Sequence, residues 1–281
     1  QNYEQTRTEK EPLGLTTITL AEQLEIQRPN ISSILNKLVD EGIVEKSNGR
    51  PVLYWLKKNR SKFIKEHSCF DDLIGHDGSL KNAVGLIKAA VLYPQSGFSV
   101  LIVGEKGTGK SHFASLIYQF AVEQGVLPKD APYVRVNCKN YLGHETKLSE
   151  DLFSQKEGNY FDQAEGGFLF IDSVDLLVGK DRSRLIHYME SREYYYLDEE
   201  KPEKKNVALI LACDENINQE VIEYFAQKIM INIKLPNLAN RPLKERFQLI
   251  NHFFAQEASQ ASQSFEVTNE VIRCLMLFDC P

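Results

Sequence analysis

The sequence predicts an α/β domain built on a parallel sheet with helices on both faces, preceded by a small module of two helices and a β-hairpin. Three observations carry this. Short apolar runs of strand length alternate with helical segments from Ser99 onward. Those runs are apolar at nearly every position, as strands buried on both faces must be. Residues 15–56 instead read helix, turn, helix, hairpin. The 281 residues, 42% apolar and 26% charged, have the composition of a folded protein of about two domains and exclude disorder as the main state.

Residues 1–12 form a polar arm ending at Pro12. Thr19 is placed to cap a helix through Leu20, Leu24 and Ile26, with Glu22 as its capping-box partner. A second helix starts near Pro29, with Ile31, Ile34, Leu35 and Leu38 on its apolar face, and Gly42 stops it. Two β-prone runs, Ile43–Lys46 and Val52–Trp55, flank an Asn48-Gly49 turn, which completes a winged helix. Residues 57–68 are charged and poor in apolar residues, and read as a linker or a linking helix. Strands are expected at Ser99–Val103, Tyr133–Cys138, Gly167–Ile171, Val207–Cys213 and Ile231–Leu235, with helices at Lys110–Gln124, Arg182–Ser191 and Asn218–Ala226. After Pro236 only helices follow, Arg241–Ala261 and Thr268–Asp279. The expected domains are therefore 1–64, 65–236 and the start of a helical lid at 237–281.

The net charge of -6 is unevenly spread. Residues 28–60 hold seven Lys/Arg against three Asp/Glu, a locally basic segment suited to a phosphate backbone. The five cysteines are odd in number and without a CxxC pair, which points away from disulfides and zinc and toward a reducing cytoplasm. No apolar run is long enough to span a membrane and no secretory leader is visible, while Gln1 in place of Met suggests a fragment. The six histidines lack metal-ligand spacing. Tyr194-Tyr195-Tyr196 reads as a short strand or interface patch, and Asp198–Lys205 as a solvated loop.

Gly104-Glu105-Lys106-Gly107-Thr108-Gly109-Lys110-Ser111 matches G-x-x-x-x-G-K-[ST] between an apolar strand and an amphipathic helix. The chemistry needs these residue types. Glycines let successive backbone N–H groups turn inward around a β-phosphate, Lys110 reaches the β- and γ-phosphates, and the Ser111 hydroxyl ligates Mg²⁺. ATP or ADP with Mg²⁺ is the expected ligand. Phe168-Leu169-Phe170-Ile171-Asp172 supplies a second magnesium ligand, a carboxylate, at the end of a buried strand, the Walker B pattern. His112 directly follows the loop, where a helix-surface position is expected beside a conceivable modulating contact. Asp214 or Asn216, after the fourth strand of this domain, is placed either to sense a γ-phosphate or simply to make a turn.

Beyond these motifs, Phe70–Gly75 with Gly78-Ser79-Leu80-Lys81, Ala89–Pro94, Val136-Asn137-Cys138, Ala164–Asp172, and Lys234-Leu235-Pro236 with Arg241–Arg246 run in the order found in AAA+ regulators. More narrowly the chain resembles sigma-54-dependent transcription activators of the levanase-operon-regulator type, which control sugar phosphotransferase operons. The N-terminal Gly49–Tyr54 segment resembles their winged-helix domain. The resemblance implies a five-stranded parallel sheet flanked by helices, the beginning of a helical lid, Ile74 and Gly75 near the adenine, self-association, and phosphotransferase components as partners of domains outside this chain.

Three departures accompany the resemblance. Active members carry a Glu after the Walker B Asp to activate water, and this chain has Ser173, a poor base, which removes roughly 10²–10⁴-fold in rate. A GAFTGA-like loop that touches the sigma factor is absent, since Leu152–Gln163 runs almost directly into Ala164. The arginine fingers expected before the last strand are replaced by Gln227-Lys228, and such a finger is worth about 10³–10⁵. These departures point to a nucleotide-binding regulator with weak or no hydrolysis, for which contact with RNA polymerase or sigma factor is doubtful. An active sigma-54-dependent ATPase using substitute residues remains the alternative, and a replication initiator fits less well because its winged helix follows the ATPase module.

In a winged helix the helix from Pro29 to Val39 would read double-stranded operator DNA. Arg28, Asn30, Ser32, Ser33, Asn36 and Lys37 are its outward-facing candidates, and Lys46, Asn48 and Arg50 belong to the wing. A winged helix that docks protein instead is the competing reading.

Overall fold

The computed structural model describes residues 16–18, 20, 28–46, 52, 54–56, 68–92, 98–155, 158–197, 199–216, 219–229, 231–262 and 267–277, without the side chains of Arg28–Asn30, Trp55 and Leu56. Two compact units divide between residues 65 and 66.

In the first unit, helix α1 (Arg28–Asp40) stops where Gly42 takes a left-handed φ of 68°. There Ile43 N–H donates to Leu38 O and Gly42 N–H to Val39 O, both at 2.9 Å, a Schellman closure that only a residue free of a Cβ penalty adopts readily. Strand β1 (Val44–Lys46) then pairs antiparallel with β2 (Tyr54–Leu56), Val44 opposite Leu56 and Lys46 opposite Tyr54. Ile31, Leu35, Val44 and Tyr54 form the buried core of this unit. Ile34, expected in that core, is instead 47% exposed, because the narrow apolar stripe of α1 is filled by Ile31, Leu35 and Leu38. Thr17 and Ile18 are already helical upstream of the expected cap Thr19, and Leu20 is helical after it; Thr19 itself lies outside the described residues together with the hairpin turn and nearly all of the linker.

The second unit is a five-stranded parallel sheet. Its strands are β3 (Ser99–Val103), β4 (Tyr133–Asn137), β5 (Phe168–Asp172), β8 (Ala208–Cys213) and β9 (Ile231–Lys234), in the spatial order β4-β5-β8-β3-β9. Side chains alternate across the sheet, and both sides are covered, which explains the unbroken apolar runs. Val100, Ile102, Phe168, Phe170 and Ile210 face one layer, made by α2 (Lys81–Leu92) and α3 (Lys110–Glu123). Leu101, Leu169, Ile171, Leu209 and Leu211 face the other, made by α4 (Glu145–Phe153), the short α5 (Tyr160–Gln163), α6 (Gly179–Ser191) and α7 (Gln219–Lys228). Helices α2, α4 and α5 have no counterpart among the sequence-expected elements.

Between α6 and β8, Glu200–Lys204 are exposed, as expected of a solvated segment, but β6 (Glu193–Tyr194) pairs antiparallel with strand β7 (Glu203–Lys204), and Lys205 is half-buried. The Lys205 side chain is 14% exposed and bridges Asp162 at 2.9 Å and Glu203 at 3.2 Å, so its charge is satisfied while its stem covers the tyrosine rings. Tyr194 and Tyr196 are buried with Phe153, Phe161 and Tyr188 in one aromatic cluster rather than displayed as a patch. The chain closes with α8 (Leu243–Ala261) and α9 (Asn269–Leu277), the start of the lid. Among the described residues no helix is long and apolar enough to cross a membrane.

Phe161 is fully buried, with its ring 4.6 Å from Tyr194 and 5.1 Å from Tyr188. Phe161→Ala should therefore destabilise the second unit by about 3–5 kcal/mol in urea unfolding, whereas Leu142→Ala, at a residue 62% exposed, should stay within about 0.5 kcal/mol.

Candidate functional site

The glycine-rich loop leaves the end of β3 and enters α3. Gly107 and Gly109 adopt φ values of 89° and 91°, and Gly104 has no space for a side chain, since a Cβ there would lie 2.8 Å from Thr108 Oγ1 and 3.1 Å from Leu235 O. Thr108 ties the loop to itself by donating from Oγ1 to Glu105 O at 2.9 Å, and Asn237 Nδ2 holds the Glu105 carboxylate at 2.8 Å. Gly109 stands at the N-cap of α3 and offers no capping side chain, which leaves first-turn amides for an anion. Lys110 Nζ lies inside this cradle, donating to Gly104 O at 2.7 Å and Glu105 O at 2.8 Å. Burial lowers the Lys110 pKa, against the nearby carboxylates of Asp214 and then Asp172.

Those two carboxylates show how the sheet order builds the site. Strand β8 lies between β3 and β5, so Asp214, just after β8, sits between the loop and Asp172, the last residue of β5. Asp214 also accepts Asn216 N–H at 3.1 Å, which makes the expected turn, while Asn216 is exposed. Ser111 and Asp172 are half-buried. Among the described residues there is no group of three or more His, Cys, Asp or Glu able to hold a metal by itself. A hydroxyl and one carboxylate suit Mg²⁺, which keeps water and substrate phosphates as its remaining ligands.

Ser173, where a catalytic Glu is expected, is 4% exposed and takes a left-handed conformation with φ 57° and ψ 46°. Such a backbone in a non-glycine residue costs on the order of 1–2 kcal/mol, so the surrounding packing imposes it. At the other expected catalytic position, Gln227 and Lys228 are exposed at the end of α7, with Lys228 paired to Glu190 at 3.0 Å. Between α4 and α5, Asn159 donates to Ser154 O at 2.8 Å and accepts Asp162 N–H at 2.9 Å, which ties the end of α4 to the start of α5.

A cavity of about 730 Å³ opens beside the loop, between the core and the lid. Ile74, Gly107, Thr108, Gly109 and His112 line one side, and Leu249, His252 and Phe253 of α8 the other. Its walls are largely apolar, as a stacked heterocycle requires, with the loop at one end for phosphates. His112 is exposed on α3, the expected helix-surface position, and also lines the cavity, where partial desolvation and then His252 lower its pKa. Gly75 does not line the cavity. With φ 92° it makes room for the Glu245 carboxylate, whose Oε2 would lie 2.6 Å from a Cβ there.

Arg241 and Glu245 enter the sequence reading only within the run Arg241–Arg246, without a role of their own. Both are buried, at 8% and 6% exposure. Glu245 accepts Ser79 N–H at 2.8 Å and Ser79 Oγ–H at 2.5 Å, while Arg241 Nη1 donates to Ile74 O at 3.3 Å. The first turn of the lid is thereby fastened to the Ile74 wall of the cavity. No local signal marks them, because a partner 166 residues away decides their burial.

In the first unit, Ser33, Asn36 and Lys37 are exposed on α1, and Ser32 is half-buried. Lys46 Nζ donates to Asn36 Oδ1 at 3.2 Å, which sets strand and helix side by side on one face. Arg28 and Asn30 lie on α1 with undescribed side chains, and Asn48 and Arg50 lie outside the described residues.

Comparison with known proteins agrees with this architecture. Residues 73–238 match the sigma-54 interaction domain, and residues 13–58 match the sugar-specific transcriptional regulator TrmB family. The transcriptional regulatory protein LevR of Bacillus subtilis is 32% identical over 94% of this chain, and DagR of Salmonella typhimurium 30% over 94%. The chain spans about a third of the length of these relatives, 32% in each case. NtrX from Brucella abortus, solved in complex with ADP, superposes with a TM-score of 0.59 at 15% identity over 90% of this chain and 53% of NtrX, a likeness of fold. The matching domain covers more than half of the residues, the fold is that of the AAA+ proteins, and the chain belongs to the sigma-54 interaction domain family, in its levanase-regulator type.

Proposed function

We propose that this chain is the DNA-binding and nucleotide-binding part of a transcription regulator, that it binds ATP or ADP with Mg²⁺, and that it hydrolyses ATP slowly. The observation that carries the reading is the cradle at Gly104–Ser111: two left-handed glycines, uncapped helix amides and the Lys110 ammonium converge beside an apolar cavity of nucleotide size. The complexes of NtrX with ADP and with ATP support it by analogy. Ser111 and Asp172 would hold the magnesium ion, which when bound neutralises phosphate charge. Lys110 would exchange its two carbonyl partners for phosphate oxygens, and Ile74, His112 and the α8 residues would enclose the base.

Slow hydrolysis follows from what Ser173, Gln227 and Lys228 cannot do. A buried hydroxyl does not activate water at neutral pH, and a flexible ammonium does not reproduce the guanidinium fork. The bound nucleotide then acts through its differential affinity for two arrangements of the protein, with the Arg241 and Glu245 contacts linking lid to cavity wall. Self-association and control of a sugar phosphotransferase-type operon belong to the same proposal, supported by the LevR likeness, as does a cytoplasmic location. Because the loop that would reach a sigma factor is missing between β4 and β5, no contact with that factor is assigned to this chain.

Three outcomes test this reading. Lys110→Ala should weaken ATP and ADP binding by about 10- to 100-fold in a competition assay with a fluorescent nucleotide. Phosphate release by the unaltered chain should run at least about 100-fold below one turnover per second. Binding to a DNA duplex should weaken steeply with salt, and Lys37→Ala and Lys46→Ala should each lower the log–log salt slope by about 1.

A further inference from the structure

The turn after β5 encloses an acid that the site described above does not use. Asp175 is 7% exposed, and neither of its carboxylate oxygens meets a well-aligned hydrogen-bond donor, although the backbone amides of Asp175 itself and of Asp214 lie close by. An ionisable group enclosed this way is costly unless it serves something else. Its position follows from the left-handed Ser173, after which Val174–Leu176 form a single 3-10 turn, closed by Leu176 N–H to Ser173 O at 3.0 Å. The turn brings Asp175 within electrostatic reach of Lys139, which follows β4, and of Asp214, which follows β8. Asp175 follows β5 as the phosphate loop follows β3 and Asp214 follows β8, and these strands are parallel neighbours, so all three lie at one carboxyl edge of the sheet, the edge where open parallel sheets hold their ligands.

Resting on the nucleotide-binding reading above, we propose that Asp175 accepts the proton of the attacking water in the slow hydrolysis of a nucleoside triphosphate, in place of the carboxylate absent at Ser173. The water oxygen forms a bond to the γ-phosphorus as one of its protons passes to an Asp175 oxygen. The bond from the γ-phosphorus to the β–γ bridging oxygen breaks, its electrons leave with the nucleoside diphosphate, and the proton returns to solvent. The missing arginine fork keeps this reaction slow.

The surroundings suit a base. Burial raises the Asp175 pKa, opposed by its own backbone amide, the Lys139 charge and the Asp214 amide and reinforced by the Asp214 carboxylate, which makes it a better proton acceptor near neutral pH. Asp175 also acts on two thiols, Cys138 after β4 and Cys213 at the end of β8, which feel Asp172 at the end of β5 as well and, at Cys138, Asp181 of α6. Both thiols are pushed up to about 12, chiefly by burial, so they stay neutral and do not compete.

The test measures ATP binding and phosphate release on the full chain. Asp175→Asn should lower turnover by about 100-fold or more while ATP affinity changes by less than about threefold. The unaltered chain should lose activity toward acid with a midpoint above the ordinary carboxylate range, and this acid limb should vanish in Asp175→Asn. Asp175→Glu should keep part of the activity and the limb, which gives a readout even if the Asn variant folds poorly. Unchanged turnover in Asp175→Asn, an acid limb that persists in it, or tight ATP binding without detectable hydrolysis by the unaltered chain would each overturn the assignment of Asp175 and leave nucleotide binding standing. Failure of the unaltered chain to bind ATP would overturn both.

Discussion

Everything in the second unit serves one backbone constraint: between β3 and α3 the chain must turn its amides toward a single point, and left-handed φ values at Gly107 and Gly109 permit it. The rest of the architecture holds that turn in place. Val100 and Ile102 anchor β3 in one layer and Leu101 in the other, and Phe113, Ile117 and Phe120 fix α3 against the sheet. With both ends of the loop locked in the core, Gly104–Ser111 has little freedom to relax, and the ammonium of Lys110 is held at its centre.

The parallel order of the strands then decides which acids meet that ammonium. Because β8 lies between β3 and β5, Asp214 and Asp172 reach the loop from one side, while β9 brings Leu235 against Gly104 from the other. The lid completes the cavity from a distance in sequence. Glu245 and Arg241 are polar groups buried at its first turn, and each is satisfied by the Ile74–Ser79 region. Buried polar groups of this kind are tolerated only when partnered, so the lid's position and the cavity wall are set together.

The sheet and the loop were legible in the sequence because their signals are local. Continuous apolar runs ending in Gly104 or Asp172, and glycines at fixed offsets, state their physical purpose within a few residues. Helix α2 was not read because Lys81–Leu92 mixes Gly85 with apolar residues and has no cap signal, and α4 and α5 are too short for periodicity to distinguish them from a loop. Tyr196 and Lys205 were misjudged for a related reason: Asp162, which accepts from both, lies on another element 34 residues before Tyr196. Ile34 shows the opposite failure, an apolar residue at helical spacing that the small core of the first unit has no room to cover. Glu245 and Asp175 owe their character to tertiary surroundings, which residue type does not report.

A chain that keeps the cradle for a polyphosphate while Ser173, Gln227 and Lys228 replace the groups that would cleave it quickly is built to register a nucleotide more than to consume it. The most direct measurement is amide hydrogen exchange across Gly104–Phe113 with and without saturating ATP and Mg²⁺. Strong slowing confined to the loop amides and the first turn of α3, at a nucleotide concentration that the chain scarcely depletes, is the predicted result. Exchange unchanged in that segment would contradict the account at its centre.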